Sequence, residues 1–132
     1  MKALIVEDEF INRVVLQEML APYGEVHVAV DGFEALSVFE AALKSDPYDL
    51  VCMDIMMPGM DGQACLVRMR EMERERGVDP RNETKVIMVT ALSDPKTVIE
   101  SYYRCGASAF LAKPIDREEL LSRLRELKLL AP

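Results

Sequence analysis

Five short apolar runs alternate with stretches of helical periodicity, and this alternation restricts the fold more than any other feature of the chain. The runs are Ala3-Leu4-Ile5-Val6, Val26-His27-Val28-Ala29-Val30, Leu50-Val51-Cys52-Met53, Val86-Ile87-Met88-Val89 and Ser108-Ala109-Phe110-Leu111-Ala112. The first, third and fourth are almost continuously apolar, as strands covered on both faces must be. The second carries His27, which predicts an edge strand with a solvated histidine.

Helical patterns fill the intervals. Phe10, Ile11, Val14, Val15 and Met19 form an i, i+4 stripe, with Asp8 or Glu9 suited to its N-terminal end. Phe33, Leu36, Phe39 and Leu43 repeat the pattern after Asp31-Gly32. A third helix is predicted from near Gly62 through Ala64, Val67 and Met69 into the charged "REMERERG", with a polar outer turn and Gly77 as its C-cap. Asp94-Pro95 sets a proline at the start of a fourth, bearing Val98, Ile99, Tyr102 and Tyr103 and ending at Gly106. The last starts around Asp116, with Glu118 and Glu119 in its first turn and Leu120, Leu121, Leu124 and Leu127 as its apolar face. The stretch "GVDPRNET", Gly77 to Thr84, reads as a surface loop.

A β-α-β-α order of this kind predicts an α/β fold: a doubly wound, five-stranded parallel sheet with helices on both faces. The 132 residues suit one domain spanning 1–132, with 130–132 able to begin a tail or linker. A net charge of −7 argues against a surface that tracks nucleic-acid phosphates, yet suits an acidic site for a divalent cation. Cys52, Cys65 and Cys105 form no C-x-x-C pair and fit neither a disulfide framework nor a zinc site. The N-terminal apolar stretch is too short for a signal peptide and no run approaches a membrane span, so a cytoplasmic protein with no membrane contact is expected.

The residues that follow the strands carry the chemistry. Glu7-Asp8 follow the first, Asp54 the third, Thr90 the fourth and Lys113-Pro114 the fifth. In a parallel doubly wound sheet these positions share the carboxyl edge, where ligands bind. Three carboxylates together repel one another and raise each other's pKa, so the group calls for a cation. Mg²⁺ (or Mn²⁺) suits a set of hard oxygen ligands. Asp54 can then act as a nucleophile toward a phosphoryl group whose oxygens the metal, Lys113 and Thr90 stabilise.

"LIVEDE", "DLVCMDIMMPGMDG", "VIMVTA" and "AFLAKP", in this order and spacing, resemble a response-regulator receiver domain along the whole chain. The resemblance implies the strand order 2-1-3-4-5, an order the flavodoxin-like folds exemplify through a chemotaxis receiver. It implies that Asp54 is the phosphoacceptor and that Asp8 binds the metal directly, Glu7 through water, with the Met56 backbone carbonyl as a further ligand. Thr90 and Lys113 would contact the phosphoryl group, the Lys113–Pro114 bond would be cis, and Phe110 with Thr90 would form the switch. Met56 and Ala91 occupy the rate-modulating positions, and apolar Met56 is not expected to speed dephosphorylation.

The implied partners are a histidine kinase or histidine phosphotransfer protein and a downstream protein target. Signalling, and a phosphorylation-dependent homodimer, would use the face formed by the fourth helix, fifth strand and fifth helix. The leading expectation is a stand-alone receiver, a phosphoacceptor rather than an enzyme. The alternative is a receiver of a larger regulator or hybrid kinase. An aspartyl-phosphate phosphatase fits less well, because the haloacid-dehalogenase type wants a second Asp where Met56 stands. Glu7 departs from the commoner Asp, and Phe110 lacks the hydroxyl of the frequent Tyr. Met53 and Met57 are expected in the core, with Met56 and Met60 lining the loop.

Overall fold

The computed structural model describes residues 1–91 and 95–132. Its strands are β1 (Lys2–Val6), β2 (Glu25–Ala29), β3 (Leu50–Asp54), β4 (Lys85–Thr90) and β5 (Ala109–Ala112). All pair in parallel in the order β2-β1-β3-β4-β5. The helices are α1 (Phe10–Leu20), α2 (Gly32–Leu43), α3 (Gly62–Glu75), α4 (Pro95–Tyr103) and α5 (Arg117–Glu126). This is the doubly wound parallel sheet that the alternation of runs predicted, in the flavodoxin-like order that the resemblance implied.

The period of two along each strand divides the core. Leu4, Val6, Val51, Met53, Val86 and Met88 face Phe39 of α2 and Leu66 and Met69 of α3. Ala3, Ile5, Cys52, Ile87, Val89 and Leu111 face Leu16 and Leu20 of α1 and Leu120 and Leu124 of α5. Every residue of β3 is buried, Asp54 included, which is why its run shows no polar alternation. β2 pairs only with β1, so it is the edge strand expected. Met53 and Met57 are buried, Met60 is half-buried and Met56 is exposed. Cys52, Cys65 and Cys105 are free and buried.

Four readings of the sequence need correction. In α1, Phe10, Ile11 and Val15 are exposed, and Leu16 and Leu20 supply the buried contact instead. Phe33 of α2 is likewise exposed, whereas Phe39 is buried. Phe10, Ile11 and Phe33 lie in the first turns of helices that follow strands. These turns overhang the sheet's carboxyl edge, beyond any strand that could cover them. In α3, Ala64 and Val67 are exposed, while Arg70 and Glu73 of the charged stretch are buried. His27 is half-buried, with Nδ1 2.7 Å from the Tyr48 hydroxyl and Nε2 3.0 Å from Glu25.

The Arg70–Glu73 pair explains the charged half of α3. Nη1 of Arg70 donates to Glu73 Oε1 at 2.7 Å and to the Thr84 carbonyl at 2.9 Å. Its Nε and Nη2 donate to the Gly106 carbonyl at 3.1 and 2.8 Å. The Thr84 amide donates to the other Glu73 oxygen at 2.8 Å. One arginine thus joins α3 to the start of β4 and to the turn after α4. The loop before β4 is otherwise superficial and contains a short helical turn, Pro80–Asn82, while Thr84 at its end is buried.

Helix ends follow local chemistry. Asp31, Asp61 and Asp116 cap α2, α3 and α5 by accepting from the amides of Glu34, Ala64 and Glu119. Glu9 is the N-cap residue of α1 and makes no side-chain cap bond. Gly77 follows α3 at φ +70° and Gly106 follows α4 at φ +85°, conformations that favour glycine. Pro95 opens α4 as expected, whereas Asp94 lies outside the described residues.

Candidate functional site

Parallel register brings the strand ends together. Val6 pairs with Met53, Asp54 with Val89 and Thr90 with Ala112. Glu7, Asp54, Thr90 and Lys113 therefore emerge along one edge, although more than a hundred positions separate the first from the last. The chain beyond each strand is held as well. The Glu7 amide donates to the Ala29 carbonyl at 3.1 Å, and the Lys113 amide to the Thr90 carbonyl at 2.8 Å. The Lys113–Pro114 peptide bond is cis.

Asp54, only 4% exposed, is fully engaged. Its Oδ1 accepts from the Met56 amide at 3.0 Å, and its Oδ2 accepts from Lys113 Nζ at 2.8 Å. The same ammonium donates to Glu7 Oε1 at 2.9 Å. Asp8, which is exposed, completes an acidic group with Glu7 and Asp54 whose carboxylate oxygens lie within 4.8 Å of one another. Thr90 is fully buried at the end of β4, and Ala91 beside it is exposed. Gly62 packs under β3: a Cβ there would stand 2.3 Å from the Asp54 carbonyl oxygen, so this position admits no side chain.

One ammonium does not balance three carboxylates. Burial, then the hydrogen bond with Asp54, push Glu7 up to about 7, against the opposing pull of Lys113. Burial would lower the Lys113 pKa, but its hydrogen bonds to Asp54 and Glu7 outweigh this and raise it. A pH dependence follows from Glu7. Its folded pKa lies above its unfolded value, so the metal-free native state binds the proton more tightly. The resulting stability is fully present below about 4.5 and is lost as pH rises through about 7. Urea unfolding of the metal-free chain at pH 5 to 8 should show this fall, and Glu7→Gln should flatten it. Identical slopes in both proteins would refute the assignment.

Two positioning contacts were not foreseen from the sequence. Arg13 Nη1 donates to the carbonyls of Glu7 at 3.0 Å and Asp8 at 3.1 Å, holding the acidic segment against α1. Its signal was its spacing, one helical turn into α1 after the acidic pair. Tyr102 of α4 lies against half-buried Phe110, with ring centroids 6.2 Å apart. That contact joins two elements and has no local sequence signature.

A family model described as the response regulator receiver domain matches residues 3–125. The chain is 35% identical over 127 residues to the sensory/regulatory protein RpfC of Xanthomonas campestris pv. campestris, covering 96% of this chain and 16% of that protein. It is 39% identical over 121 residues to the regulatory protein AtoC of Escherichia coli, covering 90% of this chain and 23% of that protein. It thus spans less than a quarter of either relative. Among solved structures it is similar to the receiver domain of the histidine kinase CKI1 from Arabidopsis thaliana, complexed with Mg²⁺ and BeF₃⁻. That match has a TM-score of 0.84 and 30% identity, covering 98% of this chain and 90% of that one. Chemotaxis protein CheY4 of Vibrio cholerae matches with a TM-score of 0.79 and 30% identity, covering 96% and 97%. The family match over nearly the whole chain, on a sheet of this order, makes the protein a member of the response regulator receiver domain family of two-component signalling.

Proposed function

We propose that the chain accepts a phosphoryl group on Asp54 from a phosphohistidine of a histidine kinase or histidine phosphotransfer protein. The observation that carries this reading is the placement of Lys113 Nζ, 2.8 Å from Asp54 and 2.9 Å from Glu7 at the open edge of the sheet. With the donor's phosphoimidazole protonated on its other ring nitrogen, a carboxylate oxygen of Asp54 attacks phosphorus, the O–P bond forms as the P–N bond breaks, and the imidazole leaves as the neutral ring. Lys113 and the Thr90 hydroxyl stand at the strand ends beside Asp54, where they can stabilise the oxygens of the transferring group.

The donor set fits Mg²⁺ or Mn²⁺. Glu7, Asp8 and Asp54 offer only hard oxygens, and burial, then the neighbouring Asp54, raise the Glu7 pKa despite the opposing lysine. Asp8 would hold the ion directly, Glu7 through water, with Asp54 and the Met56 carbonyl completing the protein ligands. A bound ion supplies positive charge to the phosphoryl oxygens.

Phe110, with Thr90, is the switch we assign, working through packing against Tyr102 rather than through a hydroxyl. The α4-β5-α5 face, with Ile99 and Tyr103 exposed, would pass the change to a protein target or a second copy. Among the described residues no helix is long and apolar enough to cross a membrane, in keeping with a cytoplasmic setting. A stand-alone domain spanning 1–132 is one arrangement. A receiver within a larger regulator or hybrid kinase is the other, favoured by the match to 16% of RpfC. The mass of the endogenous product on an immunoblot distinguishes them.

Intact mass after incubation with acetyl phosphate and Mg²⁺ tests the chemistry. The expected result is addition of one phosphoryl group. No adduct from acetyl phosphate or a phosphohistidine donor overturns the reading, and sustained turnover of a phosphate ester replaces it with a phosphatase.

The side chains of exposed Met56 and exposed Ala91 carry no hydrogen-bonding group able to orient a water beside Asp54. Met56→Asn should therefore shorten the lifetime of the phosphorylated chain on the order of tenfold. Decay of the adduct followed by mass would measure it, and an unchanged lifetime would remove Met56 from any role in the rate.

A further inference from the structure

On the flank of the molecule, away from Asp54, a groove of about 250 Å³ runs between the outer face of α3 and the end of α4. Val67, Arg70 and Arg74 form one wall, three and four residues apart and so on one helical face. Tyr103 and Arg104 form the other, and Glu83 lies at one end. Tyr103 is 87% exposed, the most open large apolar side chain of the described residues.

The arginines differ in their engagement. Arg70 is buried and bonded to Glu73 and to the carbonyls of Thr84 and Gly106. It also takes up Glu83 at 3.3 Å, while neighbouring Arg68 takes up Glu71 and Glu75. Glu71, Glu73, Glu75 and Glu83 are thereby used. Arg74 and Arg104 are exposed, and among the described residues neither has an ion-pair partner. Both sit near helix C-termini, where a cation complements the dipole, but that role leaves their guanidinium forks open.

We propose that this groove docks an acidic peptide segment of a partner protein, with carboxylates on Arg74 and Arg104 and an apolar side chain against Tyr103 and Val67. Charge complementarity selects the occupant. The net charge of −7 repels a long polyanion such as nucleic acid, whereas a short segment meets chiefly the local field, since screening limits its range to about 8 Å at physiological salt. A second copy is a poorer occupant. Its acidic first turn of α5, Glu118 and Glu119, is a different surface, so the contact would be heterologous and would have to close a ring or propagate.

The probe is the peptide acetyl-Glu-Glu-Phe-Leu-Glu-Glu-amide, titrated into the ¹⁵N-labelled full chain, with the Gln-for-Glu peptide as control. Saturable shifts confined to Val67, Arg70, Arg74 and Tyr103–Gly106 are expected, weakening with salt and absent with the control. Arg74→Glu/Arg104→Glu should weaken binding at least tenfold, and the milder Arg74→Gln/Arg104→Gln less so. Both pairs are exposed, and unchanged urea midpoints would show that folding is intact. Asp54→Asn should bind the peptide as wild type does, so this test is independent of phosphoacceptance. Absence of saturable shifts, shifts centred elsewhere, binding unaffected by charge reversal, tighter binding of a single-stranded oligonucleotide, or concentration-dependent self-association through this groove would each overturn the proposal.

Discussion

Lys113→Ala should take up phosphoryl groups from acetyl phosphate about 10²–10³ times more slowly than wild type, a loss typical of removing one preorganised charge-stabilising donor. Asp54→Asn should take up none. The two losses have separate causes in the proposed reaction, where Asp54 would supply the nucleophilic oxygen and Lys113 the charge opposite it. Lys113 Nζ is the only described cation bonded to both buried carboxylates, at 2.8 Å to Asp54 and 2.9 Å to Glu7. Without it the two acids face each other uncompensated, and the Glu7 pKa, already about 7, must rise further. Divalent-ion binding in Lys113→Ala should therefore weaken more steeply below neutral pH than in wild type. Stopped-flow or quenched mass measurements give the rate, and titrations at pH 6 and 8 give the coupling. A phosphorylation rate within a few fold of wild type would remove Lys113 from the chemistry.

The largest effect on stability is expected at Arg70, far from that chemistry. Arg70→Met should cost about 3–5 kcal/mol, since it leaves a buried carboxylate on Glu73 and strips donors from the Thr84 and Gly106 carbonyls. Against a typical stability of about 5–15 kcal/mol, this is a severe loss. Arg70→Met/Glu73→Met should recover much of it, because an apolar pair of similar volume carries no desolvated charge. Urea unfolding of the single and double variants measures the coupling. If the double variant is no more stable than Arg70→Met, the loss comes from the missing carbonyl contacts rather than from the stranded carboxylate.

Much of the fold was legible because a doubly wound sheet writes itself into local periodicity. The nearly continuous apolar runs around Ile5, Val51 and Ile87 had to be strands covered on both faces, and Pro95, Gly77 and Gly106 punctuate helices for reasons internal to each residue. Errors arose wherever burial depended on an element's position rather than its pattern. Phe10, Ile11 and Phe33 have the periodicity of a buried face but sit in overhanging first turns. Arg70 and Glu73 look like a solvated charged helix, and only the approach of Thr84 and Gly106 explains their burial.

By itself, the sequence determined that Glu7, Asp8, Asp54, Thr90 and Lys113 follow strands and must share a sheet edge, because parallel strands all point their carboxyl ends one way. Only the tertiary structure decided how they meet. The lysine bridges Asp54 and Glu7, Arg13 grips the carbonyls behind the acidic pair, and Gly62 allows α3 to close under β3. Distances between side chains depend on strand register and helix packing across many intervening residues, and no local pattern encodes them.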